Sequence, residues 1–82
     1  MKITSPEHLA IYLKDVRKGQ EQSQTALAQR VGLRQDTVSK FENSPAKTQI
    51  ETLFRILSAM DLELHVQPKG TDEQAAKWGE EW

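Results

Sequence analysis

The sequence between residues 23 and 42 has the pattern of two short helices joined at a glycine. This pattern restricts the possible folds of the chain more strongly than its other sequence features do. Ser23 is a typical N-cap for a helix over residues 24–31, and a second helix is predicted over residues 35–43. Gly32 stands between them, where a sharp stop needs a positive φ that glycine adopts readily. The side chains predicted to face the core are Leu27, Ala28, Val31, Val38 and Phe41. The chain must therefore fold around two closely crossing helices.

A further helix is expected on each side of this pair. Ser5, Pro6 and Glu7 form a typical helix start, and an apolar stripe of helical spacing follows until residues 18–20. Thr48 and Glu51 have the spacing of a capping box and open a fourth helix. The predicted apolar stripes consist of Leu9, Tyr12, Leu13 and Val16 in the first helix, and of Ile50, Leu53, Phe54, Leu57 and Met60 in the fourth. The pattern predicts a small all-α domain of about four helices.

One segment near the C-terminus has the period of a β-strand instead. Residues 62–67 alternate apolar and polar side chains, with Leu62, Leu64 and Val66 on the face expected to be covered. A single strand has no partner within its chain, so pairing with a second copy across a two-fold axis is expected. We predict a homodimerising domain over residues 1–68 and a disordered tail over residues 69–82.

Composition and charge exclude several classes of protein. The 82 residues contain no cysteine and no apolar run long enough to span a membrane, and no signal peptide is recognisable, so a cytoplasmic location is expected. His8 and His65 lie far apart, which argues against a metal site, and no nucleophile motif indicates an enzyme. No cofactor or small-molecule ligand is expected. Residues 1–50 carry a net charge of +3 and residues 51–82 a net charge of −4, which permits a basic binding face on the N-terminal part.

Two short helices joined by a glycine turn, with polar residues on the second, form a helix-turn-helix pattern over residues 24–43. Residues near the start of the second helix would reach base edges in the major groove: Gln35 suits adenine, and Arg34 suits guanine or a phosphate. Asp36 has two interpretations, an acceptor for cytosine or a favourable charge at the helix N-terminus. The candidate DNA-binding residues are Gln24, Arg34, Gln35, Asp36, Thr37, Ser39 and Lys40.

The stretch from Ser23 to Glu42 resembles the phage-repressor (Xre-type) DNA-binding proteins. Residues 35–45, the end of the fourth helix, the single strand and the terminal Glu81-Trp82 together are similar to the HipB-type antitoxins of HipBA toxin–antitoxin systems. The resemblance implies a dimeric autorepressor that binds operator DNA and a HipA-type serine/threonine kinase toxin. It also implies a phosphate contact at Gln24, and a buried ion pair between Arg17 and Glu42. Arg34 departs from the pattern, since Ser or Thr usually caps the recognition helix there.

The C-terminal residues allow two interpretations. Trp78 and Trp82 lie within the last five residues, and a terminal aromatic side chain in a flexible segment is suited to a pocket on a partner, here the toxin. The alternative is an inert end. For the whole chain, the alternatives to an antitoxin are a repressor without a toxin partner and a module that binds only protein.

Overall fold

The computed structural model describes residues 2–69. They form four α-helices, α1 (Pro6–Gly19), α2 (Gln24–Arg30), α3 (Gln35–Asn43) and α4 (Ile50–Ala59), with a short 3₁₀-helix (Pro45–Lys47) between α3 and α4. The predicted all-α fold with about four helices is confirmed. Met1 and residues 70–82 lie outside the described residues, and so do Trp78, Trp82 and nearly all of the predicted tail.

Helices α1 and α2 begin at the N-cap residues that the sequence predicts, whereas α4 does not. The side chains of Ser5 and Ser23 accept hydrogen bonds from the amides of His8 (3.1 Å) and Ala26 (3.0 Å). The capping box predicted at Thr48 is wrong, because the N-cap of α4 is Gln49. Thr48 instead closes the 3₁₀-helix, where its amide donates to the carbonyl of Pro45 at 3.0 Å. The 3₁₀ turn thus displaces the helix start by one residue.

Three of the four helices end in the same way. The residue after the C-cap has a positive φ in each, at Glu21 (58°), Gly32 (68°) and Asp61 (56°). In each, the next amide donates to the carbonyl three residues before the C-cap, at 3.1 Å after α1 and at 2.9 Å after α2 and α4. This is the Schellman arrangement, in which glycine is the usual residue. Of these three positions only the one after α2 is glycine, so only that positive φ was predicted from the sequence, although the end of α1 near residues 18–20 was predicted as well.

The core lies where α1, α2, α3 and α4 meet. It consists of Ala10, Leu13, Leu27, Ala28, Val38, Phe41, Ile56, Leu57, Ala59 and Met60. The prediction for α4 was partly wrong: Ile50 is 71% exposed and Phe54 is 49% exposed, whereas Ile56 is buried. The buried stripe of α4 follows residues 53, 56, 57 and 60, which leaves Phe54 about 100° away around the helix. Ile50 is the first residue of α4.

Residues 62–67 form no β-strand in this single chain. Leu62 packs against the core, but Leu64 is 46% exposed and Val66 is 88% exposed. The strand was predicted only as part of a dimer, because a strand needs a second strand for its hydrogen bonds and no other segment of residues 2–69 provides one, so a single chain does not test that prediction. Within the same residues, no helix is long and apolar enough to cross a membrane.

Candidate nucleic-acid interface

The turn between α2 and α3 brings the two helices into close contact. The carbonyl of Ala28 accepts hydrogen bonds from the amides of Val31 (3.2 Å) and Leu33 (2.9 Å), and Gly32 lies between these two donors with its positive φ. Ala28 is buried, as the close helix crossing requires. The spacing of α2, turn and α3 is that of a helix-turn-helix unit, in which α3 occupies the position of the recognition helix.

Recognition helix α3 has one buried face and one polar face. Val38 and Phe41 are buried against the core, while Gln35, Asp36 and Lys40 are exposed and Thr37 and Ser39 are half-buried. No side chain caps the start of this helix, since the N-cap is Arg34. The first-turn amides of α3 therefore lack a side-chain acceptor, and the local field there favours an anion. The departure seen at Arg34 in the sequence thus has a visible structural consequence.

Asp36 and Lys40 form a pair on the exposed face of α3. The Asp36 carboxylate lies 3.3 Å from the Lys40 ammonium, at the i, i+4 spacing of a helix, and both side chains are well exposed. A negative charge in the first turn is also favourable toward the helix dipole. The interpretation of Asp36 as a helix-stabilising charge agrees with this geometry, and an exposed pair of this kind contributes little to stability.

A nearly buried ion pair locks α1 to α3. Arg17 contacts Glu42 with two hydrogen bonds, Nε to Oε2 at 2.7 Å and Nη2 to Oε1 at 3.1 Å, and its Nη1 donates to the carbonyl of Gln22 at 2.8 Å. The side chains are only 10% and 4% exposed. Two parallel hydrogen bonds to a carboxylate fix the guanidinium plane and are stronger than bonds between neutral groups. The ion pair that the resemblance implied is present.

The pKa of Glu42 reflects this environment. Burial of the carboxyl acts to raise its pKa, but the hydrogen bonds from Arg17 and Gln24 and the positive charges of Arg17 and Lys14 outweigh that effect. The pKa of Glu42 is therefore lower than its ordinary value of 4.5. The carboxylate stays charged down to lower pH in the folded protein than in an unfolded chain.

A chain of hydrogen bonds leads from this ion pair to the surface. Gln24 donates from Nε2 to Glu42 Oε1 at 2.9 Å, and Gln35 donates from Nε2 to Gln24 Oε1 at 2.6 Å. A carboxylate only accepts hydrogen bonds, so Gln24 must direct its amide nitrogen toward Glu42 and its oxygen toward Gln35. Gln35 must then donate to Gln24, and its own oxygen and second N–H are left for an external group. Glu42 thereby determines the amide orientation of Gln35.

The structure thus brings the predicted residues Gln24 and Gln35 into direct contact. Arg34 is the N-cap of α3, and Lys40 lies on the exposed face of that helix. Ser39 accepts a hydrogen bond from Asn43 Nδ2 at 3.2 Å. The connection from Glu42 through Gln24 to Gln35 was not predicted. Its signal in the sequence is a pair of glutamines at the first positions of α2 and α3, together with a glutamate near the end of α3. The arrangement defines a helix-turn-helix DNA-binding domain.

Comparison with known proteins agrees with this assignment. The helix-turn-helix family model HTH_3 matches residues 13–66. Antitoxin HipB of Escherichia coli strain K12 is 36% identical over 94% of both chains. Two solved structures, a HipA–HipB–O2–O3 complex and a HipB–O4 20mer complex, each match with a TM-score of 0.84 and 37% identity over 85% of this chain and 99% of the other. Antitoxin HigA1 of Mycobacterium tuberculosis is 41% identical over 62% of this chain.

The chain belongs to the HipB antitoxins within the helix-turn-helix family. The Escherichia coli relatives are antitoxins. Among residues 2–69, moreover, there is no group of three or more histidine, aspartate or glutamate side chains placed to hold a metal ion.

Proposed function

We propose that this chain is a DNA-binding antitoxin that represses its own operon as a homodimer and neutralises a HipA-type kinase toxin. Its similarity to HipB over almost its whole length supports the assignment, and so does the match to a HipA–HipB complex. The observation in the structure that carries it is the oriented Gln35 side chain at the exposed end of the recognition helix. The cytoplasm, where the operon DNA lies, is the proposed location.

Gln35 is the proposed base-reading residue. Adenine presents an acceptor, N7, and a donor, the N6 amino group, in the major groove, and a glutamine amide can bind both at once. With its orientation set by Gln24, Gln35 offers its oxygen to N6 and its second N–H to N7. The side chain is fixed before DNA arrives, so less conformational entropy is lost on binding.

The neighbouring side chains supply contacts to the DNA backbone and to adjacent bases. We assign Arg34 to a guanine or a phosphate, and Lys40 to a phosphate beside the groove. Gln24, at the start of α2, is placed to contact a phosphate with its remaining N–H. Thr37 and Ser39 lie on the same helix and line the groove side. We assign Asp36 a role in stabilising α3, through its charge in the first turn of the helix and through its ion pair with Lys40.

The homodimer accounts for the apolar side chains that the single chain leaves uncovered. Leu64 and Val66 are exposed next to the half-buried Leu62, in the segment predicted to pair with a second copy. Two recognition helices related by a two-fold axis would read an inverted repeat with half-sites about 34 Å apart or a multiple of it. We assign Trp78 and Trp82 to the contact with the toxin, and residues 1–68 to DNA binding and dimerisation.

Fluorescence anisotropy with a labelled duplex from the region upstream of the gene tests the DNA-binding part. We expect Gln35→Ala to weaken binding to the operator by about 1–3 kcal/mol and to relax the preference at one base position. Gln29→Ala, which alters an exposed glutamine of α2, is the matched control and should bind like the unaltered chain. Unchanged affinity of Gln35→Ala for operator and scrambled duplex alike would remove Gln35 from base reading.

A pull-down tests the toxin-binding part with the full chain and with a chain ending at Lys69. A HipA-type kinase should be retained by the full chain and lost or weakened with the shorter one. Equal retention by both would show that Trp78 and Trp82 do not contact the toxin. Absence of any kinase partner, together with intact operator binding, would favour a repressor without a toxin.

A further inference from the structure

The exposed face of α3 carries an acidic side chain beside the proposed base-reading residue. Asp36 follows Gln35 in the first turn of α3, and its side chain is 62% exposed. Its carboxylate lies 3.3 Å from the Lys40 ammonium and makes no other hydrogen bond or ion pair within residues 2–69. A carboxylate can accept about four hydrogen bonds, and most of this capacity is unused here. Asp36 can therefore accept from an external donor.

Binding to DNA would take the counter-charge of Asp36 away. The proposed function assigns Lys40 to a phosphate, and an ammonium that moves to a phosphate leaves the carboxylate without its cation. The unpaired carboxylate then lies beside a polyanion, with part of its hydration shell displaced. The charge still stabilises the first turn of α3, but it needs a new donor in place of Lys40. In the complex, that donor must come from the DNA.

We infer that Asp36 accepts a hydrogen bond from cytosine N4 in the operator and disfavours DNA that lacks this donor at the same position. The inference rests on the proposed function and extends its base reading from Gln35 to Asp36. In the major groove, cytosine N4 and adenine N6 are donors, whereas guanine N7 and O6 and thymine O4 are acceptors. A carboxylate cannot donate, so guanine and thymine leave it unpaired. Cytosine suits it better than adenine, whose acceptor N7 lies next to the amino group.

The helix also determines where this cytosine lies. Consecutive residues of an α-helix are separated by about 1.5 Å along the axis and about 100° around it. This rise is less than the spacing of about 3.4 Å between base pairs, so the cytosine lies within one base-pair step of the adenine that Gln35 contacts. The two residues act in opposite ways, because Gln35 strengthens binding to the operator and Asp36 weakens binding to other sequences. Specificity is a difference between two affinities, so both effects increase it.

Single base-pair replacements in the labelled operator duplex test this role by fluorescence anisotropy with the full chain. Each base pair within one step of the position that Gln35→Ala relaxes is replaced in turn. In the unaltered chain, replacing the cytosine with thymine exchanges an amino donor for a carbonyl acceptor and should weaken binding by about 5- to 150-fold. In Asp36→Ala the same replacement should cost less than about threefold, because no carboxylate is left unpaired. The affinity of this variant for a scrambled duplex should rise by about 2- to 5-fold, the effect of about one charge contact in water.

Two further variants separate base reading from a general effect of charge. Lys40→Met should weaken binding to operator and scrambled duplexes by the same factor and keep the preference for cytosine, because a phosphate contact carries no sequence information. Glu51→Gln is the matched control, since it removes a carboxylate from the exposed pair with Arg55 on α4, which has the same i, i+4 spacing. Its ratio of operator to scrambled affinity should equal that of the unaltered chain.

A preference for cytosine that persists in Asp36→Ala would overturn the inference. An equal loss of affinity for all duplexes in that variant would also overturn it, because a role in helix stability alone gives this result. Failure of the proposed function is distinguishable from both. An unaltered chain that binds operator and scrambled duplexes equally contradicts the proposed function. Operator binding that depends on Gln35 but on no neighbouring cytosine contradicts only the role inferred for Asp36.

Discussion

The ion pair between Arg17 and Glu42 gives the strongest stability prediction for this molecule. Its two hydrogen bonds are short and its side chains are almost completely removed from water. Removing one partner leaves the other charge buried without a counter-charge, which typically costs about 3–5 kcal/mol. We therefore expect Arg17→Met and Glu42→Leu each to lower the free energy of unfolding by about this amount. For a small domain this is a large part of a total stability of about 5–15 kcal/mol.

The double variant Arg17→Met/Glu42→Leu should lose less stability than the sum of the two single losses. It places hydrocarbon against hydrocarbon and leaves no buried charge, so its cost is mainly the hydrogen bonds from Arg17 to the carbonyl of Gln22 and from Gln24 to Glu42. Because each bond involves a charged group, the two together amount to about 3–6 kcal/mol, against about 6–10 kcal/mol for the sum of the two single losses. The coupling free energy between positions 17 and 42 should then be about 3–4 kcal/mol.

Urea unfolding followed by circular dichroism at 222 nm measures these differences. With a slope of about 1 kcal/mol per M urea, the urea concentration at the unfolding midpoint should be lower by about 3–5 M in each single variant. A single variant whose loss approaches the total stability will be partly unfolded without denaturant. All variants must be compared at one protomer concentration, because dimerisation contributes to stability. Arg55→Met, which breaks an exposed pair with Glu51, is the matched control and should change the free energy by less than about 1 kcal/mol. A double variant that loses the sum of the two single losses would refute the argument.

Two further predictions concern backbone strain and acid stability. Gly32→Ala should cost about 1–2 kcal/mol because of its positive φ, although a Cβ there would meet no atom within 4 Å, whereas Asp61→Gly at the same kind of stop should be neutral or slightly stabilising; equal losses for both in urea unfolding would contradict this. The lowered pKa of Glu42 means that the carboxylate stabilises the fold above about pH 4.5 and that this contribution is lost as the pH falls through the lowered pKa. Over the range from about pH 6 down to about pH 3, the unaltered chain should lose more stability than the Glu42→Gln variant, and equal losses in the two would be the contrary result.

Sequence patterns located the helices but not all of their boundaries or faces. Ser5, Ser23 and Gly32 are local signals whose chemistry acts within one helix turn, and the structure uses them as expected. The positive φ at Glu21 and Asp61 was not predicted because neither residue is glycine, and there the hydrogen bonds that end the helix accompany it. Thr48 likewise ends the 3₁₀-helix and therefore does not form the predicted capping box.

The faces of α4 show a different limit. Ile50 and Phe54 have the hydrophobicity of core residues, and periodicity does not distinguish a core within one chain from an interface between two chains. Burial of Ile56 and exposure of Phe54 are decided by where α4 contacts α2, which depends on long-range packing. Residues 62–67 show the same limit: their alternation predicts a strand, but the second strand that we propose for it would come from another chain.

If Gln35 reads DNA as we propose, the hydrogen-bonded path from Arg17 to Gln35 couples the stability of the fold to that reading. The carboxylate of Glu42 holds α1 against α3 and at the same time orients Gln24, which in turn orients Gln35. Glu42→Gln keeps the shape of the side chain but can donate as well as accept, so Gln24 becomes able to rotate and present its amide nitrogen to Gln35. Gln35 would then offer its nitrogen outward, where adenine N6 requires an acceptor. We therefore expect Glu42→Gln, compared with the unaltered chain under conditions in which circular dichroism shows both to be folded, to lose discrimination between operator and scrambled duplexes, and retained discrimination would contradict this coupling.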